Sequence, residues 1–233
     1  MSDNPKKLPR FRNKTRDILL SIVTNSKLTS SSKKYPILKG LIFLISEGVF
    51  EKQLACYLYD PKLVRTDTDI RDAVKLWYKE VWHADRAKVI QKIGHISDWD
   101  VSNVTNMKGL FKGYSSFNDD ISKWYVSNVT NMEEMFGGAE SFNQNIGNWN
   151  VSKVTTMEGM FMNAYAFNQN IGSWNVSNVT NMECMFYEVR IFNQNIGSWN
   201  VSNVNTMERM FMNAYVFNQN IGSWNVSKVT TME

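Results

Sequence analysis

The sequence predicts an α/β fold, a leucine-rich-repeat-like solenoid of 25-residue strand–helix coils that follows an N-terminal all-helical region with a cap. The first observation is a fixed period, which is the signature of a stacked repeat array. Residues 143–167 and 193–217 share 20 identities in 25 positions. The repeated tryptophans are Trp99, Trp124, Trp149, Trp174, Trp199 and Trp224.

The second observation is a change of apolar spacing within each repeat. In the first half, Trp174 and Val176 alternate with polar residues, which predicts a short strand. In the second half, apolar residues fall three or four positions apart, which predicts one face of a helix. In this repeat they are Val179, Met182, Met185 and Phe186.

A T-x-x-E motif marks the predicted start of three of the helices. It predicts a capping box, in which the threonine hydroxyl and the glutamate carboxylate satisfy backbone N–H groups of the first turn. The pairs are Thr130 and Glu133, Thr155 and Glu158, and Thr180 and Glu183. The predicted core consists of the six tryptophans with Met132, Met157, Met182, Met207, Phe136, Phe161, Phe186 and Phe211.

The chain divides into four predicted regions. Residues 1–14 form a basic flexible tail and 15–65 a small helical module. Residues 66–95 form an N-terminal helical cap, with helices over 69–80 and 84–93, because the first coil of a stack needs its apolar face covered. Residues 96–233 hold about five and a half repeats.

Charge is distributed unevenly along the chain. Residues 1–92 carry 19 Lys and Arg against 10 Asp and Glu, whereas residues 93–233 carry 7 against 12. The basic part could contact nucleic acid or an anionic surface, but a solvated tail is the better explanation, and no nucleic-acid motif accompanies it. We therefore do not expect nucleic acid as the partner.

Catalytic and metal-binding patterns are missing from the sequence. His83 and His95 are too isolated for a triad or a metal site, and the recurring glycines do not form a phosphate-binding loop. An acidic group at Asp98, Asp100, Asp119 and Asp120 lacks the spacing of a calcium loop. The sequence predicts no enzyme, no cofactor and no metal.

The repeat pattern W-[DN]-V-S-x-V-T-x-M-x-x-M-F-x-x-A-x-x-F-N-Q-x-I, over residues 93–233, resembles the BspA-like leucine-rich-repeat surface proteins. These include the 25-residue repeats of mycoplasma and lactobacillus surface lipoproteins. Ile146-x-x-Trp149-x-Val151 stands where a leucine-rich repeat has L-x-x-L-x-L, and Met160-Phe161 stands where the treponemal type has A-F. The resemblance implies a solenoid used for protein contact or adhesion.

We therefore expect a non-enzymatic scaffold that binds a protein or a repetitive polymer. The candidate interaction surface comprises Asn150, Asn175, Asn200, Asn225, Arg190 and Arg209. The alternatives are a self-assembling element that associates through an open C-terminal coil, or a binder of nucleic acid or anionic surfaces through the basic region.

The expected location is cytoplasmic, or a host cell or virion, because no convincing signal peptide, membrane span or anchor is apparent. The surface proteins that the sequence resembles imply, in contrast, a location at the cell surface.

Overall fold

The computed structural model describes residues 63–79 and 86–232, all within one unit that spans Lys62–Glu233. The predicted tail, almost all of the predicted helical module and His83 lie outside the described residues. The described part begins with strand β1 (Val64–Thr66), helix α1 (Ile70–Lys79) and helix α2 (Arg86–Ile93). A 3₁₀ turn (Ile96–Asp98) and strand β2 (Asp100–Asn103) lead into the repeats.

Helix α1 packs one face on the repeats. Ile70, Ala73, Val74 and Trp77 are buried and recur at helical spacing. Helix α2 ends at Gly94, whose N–H donates to the carbonyl of Ile90 (2.8 Å) and whose φ is 73°. A left-handed glycine is a common helix terminator because it lacks a Cβ.

Strand β1 was not predicted, so the region before the repeats is not all-helical. It pairs in parallel with β2, with Val64 opposite Asp100. Three residues are too few to show a period of two, and the partner strand lies over 30 residues away. The pairing places β1 beside the first repeat.

Each repeat is a series of tight turns between apolar residues. From Ile146 to Phe167, six bonds connect a backbone N–H to a carbonyl three residues earlier. Five of them join two apolar residues: Trp149 to Ile146, Val154 to Val151, Met160 to Met157, Ala164 to Phe161, and Phe167 to Ala164. The sixth runs from Met162 to Gly159. The inward apolar residues are therefore the ends of successive turns.

The helix predicted in each repeat is wrong for residues 104–232, where turns and isolated bridges stand instead. Glu134 is the third residue of the turn Met132–Met135 and has a φ of 51°. Asn163 is the third residue of the turn Phe161–Ala164 and has a φ of 59°. A positive φ breaks the right-handed helical path. The strand expected around each later tryptophan is likewise a pair of turns.

Backbone N–H groups that would donate within a helix donate instead to carbonyl oxygens of the neighbouring repeat. The N–H groups of Glu134, Phe136 and Gly138 donate to residues 158, 160 and 162 at 2.7–2.9 Å. Parallel bridges also connect Asn106, Asn131, Thr156, Asn181, Thr206 and Thr231 in order. Alternate donors facing one neighbour are typical of a parallel ladder, although the runs are too short to count as strands.

Aromatic columns fill the interior of the repeats. The rings of Phe136 and Phe142 lie 3.9 Å apart within one repeat, and Phe136 lies 5.6 Å from Phe161 in the next. The structure buries the predicted core residues except Phe211 and Trp224 of the last repeat, which are half-buried.

Candidate interaction surface

The repeated threonines link neighbouring repeats. Both the N–H and the hydroxyl of Thr155 donate to the carbonyl oxygen of Thr130, at 2.8 and 3.1 Å. Thr130 and Thr180 make the same pair of bonds to Thr105 and Thr155. The predicted helix-capping role is therefore wrong, because no helix follows these residues and their hydroxyls point to the preceding repeat.

The asparagines that follow each second phenylalanine form a ladder. The side-chain oxygen of Asn168 accepts from the N–H of Asn193 (3.0 Å) and from the Gln194 side chain (2.9 Å). The same bonds connect Asn118 with Asn143, and Asn143 with Asn168. These repeated amides hold the repeats together and are not free to bind a ligand.

The outward asparagines predicted as interaction residues shape the turn after each tryptophan. The side-chain oxygen of Asn150 accepts from the N–H of Ser152 at 3.1 Å, and Asn175, Asn200 and Asn225 make the equivalent bond. All four are exposed. Their local bond explains why the residue recurs without requiring a ligand.

Several outward positions differ from repeat to repeat. One register holds Ser115, Glu140, Tyr165, Arg190 and Tyr215, and the next residue along holds Ser116, Ser141, Ala166, Ile191 and Val216. Arg190 stands over the ring of Tyr165, 5.0 Å from its centroid, and pairs with Glu188 at 3.0 Å. Arg209, the other predicted cation, is exposed and pairs with Glu208 at 3.6 Å.

The glutamates of the T-x-x-E motif form a column on one outer face. Lys108 pairs with Glu133 at 2.6 Å, and the side-chain amide of Asn181 donates to Glu158 at 2.9 Å. Burial and the charges of Glu133 and Glu183 raise the pKa of Glu158. The column is therefore an acidic stripe whose members repel one another.

Asp119 joins the cap to the repeats. One carboxylate oxygen accepts from the indole of Trp77 (2.9 Å) and from the hydroxyl of Tyr78 (3.0 Å), and Arg86 lies 4.0 Å from the other. Burial and the charge of Asp119 raise the pKa of Tyr78. Later repeats carry Gln at the equivalent position, so aspartate stands here only in the repeat that contacts α1.

The remaining reactive residues have structural surroundings. His95 accepts from the N–H of Ser97 and packs edge-on against Trp77. Burial, followed by the charge of Glu183, raises the pKa of Cys184, which favours the protonated thiol over the thiolate. Within residues 63–79 and 86–232, no group of three His, Cys, Asp or Glu side chains could hold a metal ion. No described helix is long and apolar enough to cross a membrane.

An apolar hollow lies on the face of the last repeat. Its volume is about 450 Å³. Its walls include Met207, Met210, Phe211, Ile221, Trp224 and Val226. At the other end, β1 and α1 cover the first repeat, where Asp67 accepts from the N–H groups of Thr105 and Asn106 at 2.8 and 3.0 Å.

Comparisons with known proteins agree with this repeat organisation. No curated protein and no solved structure matches the chain. One family does match, over residues 84–190 and again over the overlapping residues 143–233, well over half of the chain. A repeated unit explains the overlap, because the family pattern fits in more than one register. The chain belongs to this family, the DUF285 proteins, described as Mycoplasma proteins of unknown function.

Proposed function

We propose that the protein is a non-enzymatic scaffold whose repeats stack into a solenoid and bind another protein. The observation that carries the proposal is the division of the repeat surface into two kinds of position. Constant polar residues, such as Thr155 and Asn168, are engaged in bonds between repeats. Variable positions, such as Ile191 and Tyr215, are exposed and make no comparable bond between repeats.

The resemblance to BspA-like surface proteins supports protein contact or adhesion as the use of such a scaffold. The family itself has no assigned function, so the chemistry of the surface has to suggest the partner. A protein partner fits best because the variable positions carry tyrosine and arginine side chains, which are enriched at protein interfaces. A repetitive polymer would fit the constant asparagines better.

Cross-linking tests the proposal with the full chain in lysate from the native source. The repeats offer Lys108, Lys112, Lys123, Lys153 and Lys228 to an amine-reactive reagent. We expect partner cross-links at these lysines. Cross-links confined to lysines before residue 63 would overturn the proposal and would favour a binder that acts through the basic region.

A second candidate function is self-association through the face of the last repeat. The apolar hollow supports it, because burying Trp224 and Val226 against a second copy would remove apolar surface from water. Light scattering of the full chain should then give a mass that rises with concentration and returns to a monomer in Val226→Lys. The control is Asn225→Lys at an exposed neighbour, and a constant monomer mass in the parent protein would contradict this candidate.

A further inference from the structure

One register of the repeats carries two different residues. Glutamine stands at 144, 169, 194 and 219, directly after the asparagine ladder, whereas the first repeat carries Asp119. The side-chain amide of Gln144 donates to the carbonyl oxygen of Asn118 in the preceding repeat at 2.9 Å. The other three glutamines donate to the asparagine at the same place in their own preceding repeats. Glutamine at this register therefore uses an acceptor from a repeat in front of it.

Asp119 makes the opposite kind of contact. The first repeat meets the cap, by which we mean residues 64–79 and 86–93, where later repeats meet another repeat. One carboxylate oxygen of Asp119 accepts from the indole of Trp77 (2.9 Å) and from the hydroxyl of Tyr78 (3.0 Å), and Arg86 lies 4.0 Å from the other oxygen. A carboxylate only accepts, whereas an indole and a guanidinium only donate. The direction of hydrogen bonding at this register is thus reversed where the cap precedes the repeat.

Two other cap residues imitate the backbone of a preceding repeat. The N–H and the hydroxyl of Thr105 donate to the carboxylate of Asp67 at 2.8 and 2.6 Å. In the second repeat, Thr130 makes the same pair of bonds to a backbone carbonyl. The guanidinium of Arg71 donates to the carbonyl oxygen of Lys108 at 2.6 Å, and the equivalent carbonyl of the second repeat accepts a backbone N–H. Asp67 and Arg71 therefore bind groups that the first two repeats share.

Tyr114 is a second residue of the first repeat that the later repeats lack. Its ring lies 4.5 Å from the ring of Tyr78, measured between centroids. The equivalent residues are buried and smaller, namely Ala139, Ala164, Val189 and Ala214. The first repeat thus differs from the later repeats at two positions that contact Tyr78.

We propose that Asp119 assigns the cap to the first repeat, and that glutamine at the same register assigns a repeat to a place behind another repeat. Because Asp67 and Arg71 bind groups that recur, their contacts alone do not distinguish the first two repeats. Glutamine against the cap would lose its asparagine acceptor, and aspartate behind another repeat would set a carboxylate against a carbonyl oxygen. Such mismatches give specificity by weakening the wrong pairing. Asp119 is therefore a positioning residue that fixes where the stack begins.

The test changes which repeat meets the cap. Deletion of residues 104–128 joins Asn103 to Val129, retains β2 and places the second repeat, with Gln144, against the cap. Deletion of residues 129–153 joins Asn128 to Val154, removes the same length and leaves the first repeat against the cap. Urea unfolding followed by circular dichroism should give the lower midpoint for the first deletion.

The substitution that decides the question is Gln144→Asp. In the 104–128 deletion it should raise the urea midpoint by about 0.5 M, because it returns an acceptor to the indole and the phenol of the cap. In the parent protein the same substitution should lower the midpoint, because it removes the bond to Asn118. The matched control is Gln169→Asp, which should lower the midpoint in both proteins, since Asn143 precedes it in each.

Opposite effects of Gln144→Asp in the parent and in the 104–128 deletion support the assignment, because a general preference for either residue would act in the same direction in both proteins. Effects of the same direction overturn it, as do equal midpoints for the two deletions. If the 104–128 deletion does not fold, Gln144→Asp should restore a cooperative transition, and failure to restore one overturns the proposal as well.

Discussion

The indole N–H of Trp174 donates a hydrogen bond to the backbone carbonyl oxygen of Ile146, 3.1 Å away in the preceding repeat. Trp124, Trp149, Trp199 and Trp224 make the equivalent bond, to Ile96, Ile121, Ile171 and Ile196, whereas Trp99 of the first repeat donates to Ile93. From Trp124 onward, each tryptophan therefore fills the interior of its own repeat and also donates to a backbone carbonyl 28 residues earlier. This double role explains why tryptophan, rather than another large apolar residue, recurs at this register.

Trp174→Phe should destabilise the protein. The variant removes one of the two hydrogen bonds to the buried carbonyl of Ile146, which keeps the bond from the Trp149 N–H, and this loss costs about 0.5–1.5 kcal/mol. It also reduces packing. Urea unfolding monitored by circular dichroism measures the loss. Trp224→Phe is the matched control, since Trp224 makes the same bond but is only half-buried, and its cost should be clearly smaller. Equal losses would show that burial of the indole does not set the cost of the substitution.

Asn168→Ala should cost about 1–3 kcal/mol of unfolding free energy, because it removes the acceptor for the Asn193 N–H and the Gln194 side chain. Asn175→Ala, which removes only a local turn bond at an exposed site, should cost less. The two denaturation midpoints give the comparison. If the exposed asparagine proved the more costly to remove, the ladder would not be a main support of the stack.

Asp119→Asn should lower the pKa of Tyr78, because it removes a negative charge that opposes ionisation of the phenol, while burial continues to raise the pKa. In the parent protein the folded state holds this proton more tightly than the unfolded chain. The stabilisation is therefore complete below the ordinary phenol pKa and disappears as the pH rises above it. Ultraviolet titration, with Tyr78→Phe as the reference spectrum, follows the ionisation. An unchanged titration would show that the charge of Asp119 does not affect the pKa of Tyr78.

Glu158→Gln should preserve or slightly raise stability at neutral pH. Burial and the neighbours Glu133 and Glu183 raise the pKa of Glu158, so folding favours its protonated form. Stability from this group is present at acidic pH and is lost as the pH rises through the raised pKa. The gain should be small, within about 0.5 kcal/mol, because the side chain is partly exposed. Unfolding midpoints at pH 4 and pH 7 test the direction of the change in stability. A variant that is less stable than the parent only at pH 7 would contradict the prediction.

The apolar register was readable from the sequence, whereas the backbone path was not. The spacing of Trp174 and Trp199 identified inward positions, and both side chains are buried. The spacing of Met182, Met185 and Phe186 suggested a helix because turns that begin and end on apolar residues produce nearly the same pattern. Glycine at 109, 113 and 138, and asparagine at 163 and 213, were the overlooked signal, since all five positions have positive φ.

The surface was partly predictable. Repeat comparison identified Arg190 and Arg209 as variable and outward, and both are exposed. It did not identify the contact of Arg190 with Tyr165, although the two residues occupy the same register of neighbouring repeats. The contact of Asp119 with Trp77 and Tyr78 was also missed, because no periodic pattern connects α1 with the first repeat.

Successive 25-residue repeats are equivalent units of one hydrogen-bonded stack. Deleting residues 168–192 joins Phe167 to Asn193 and keeps every ladder in register, whereas deleting residues 168–190 shifts all later residues by two positions. Urea unfolding compares the two deletions directly. We expect a folded protein with a cooperative transition after the 25-residue deletion and loss of that transition after the shorter one. If the 25-residue deletion unfolds the protein as completely as the shorter deletion, the repeats are not equivalent stacked units.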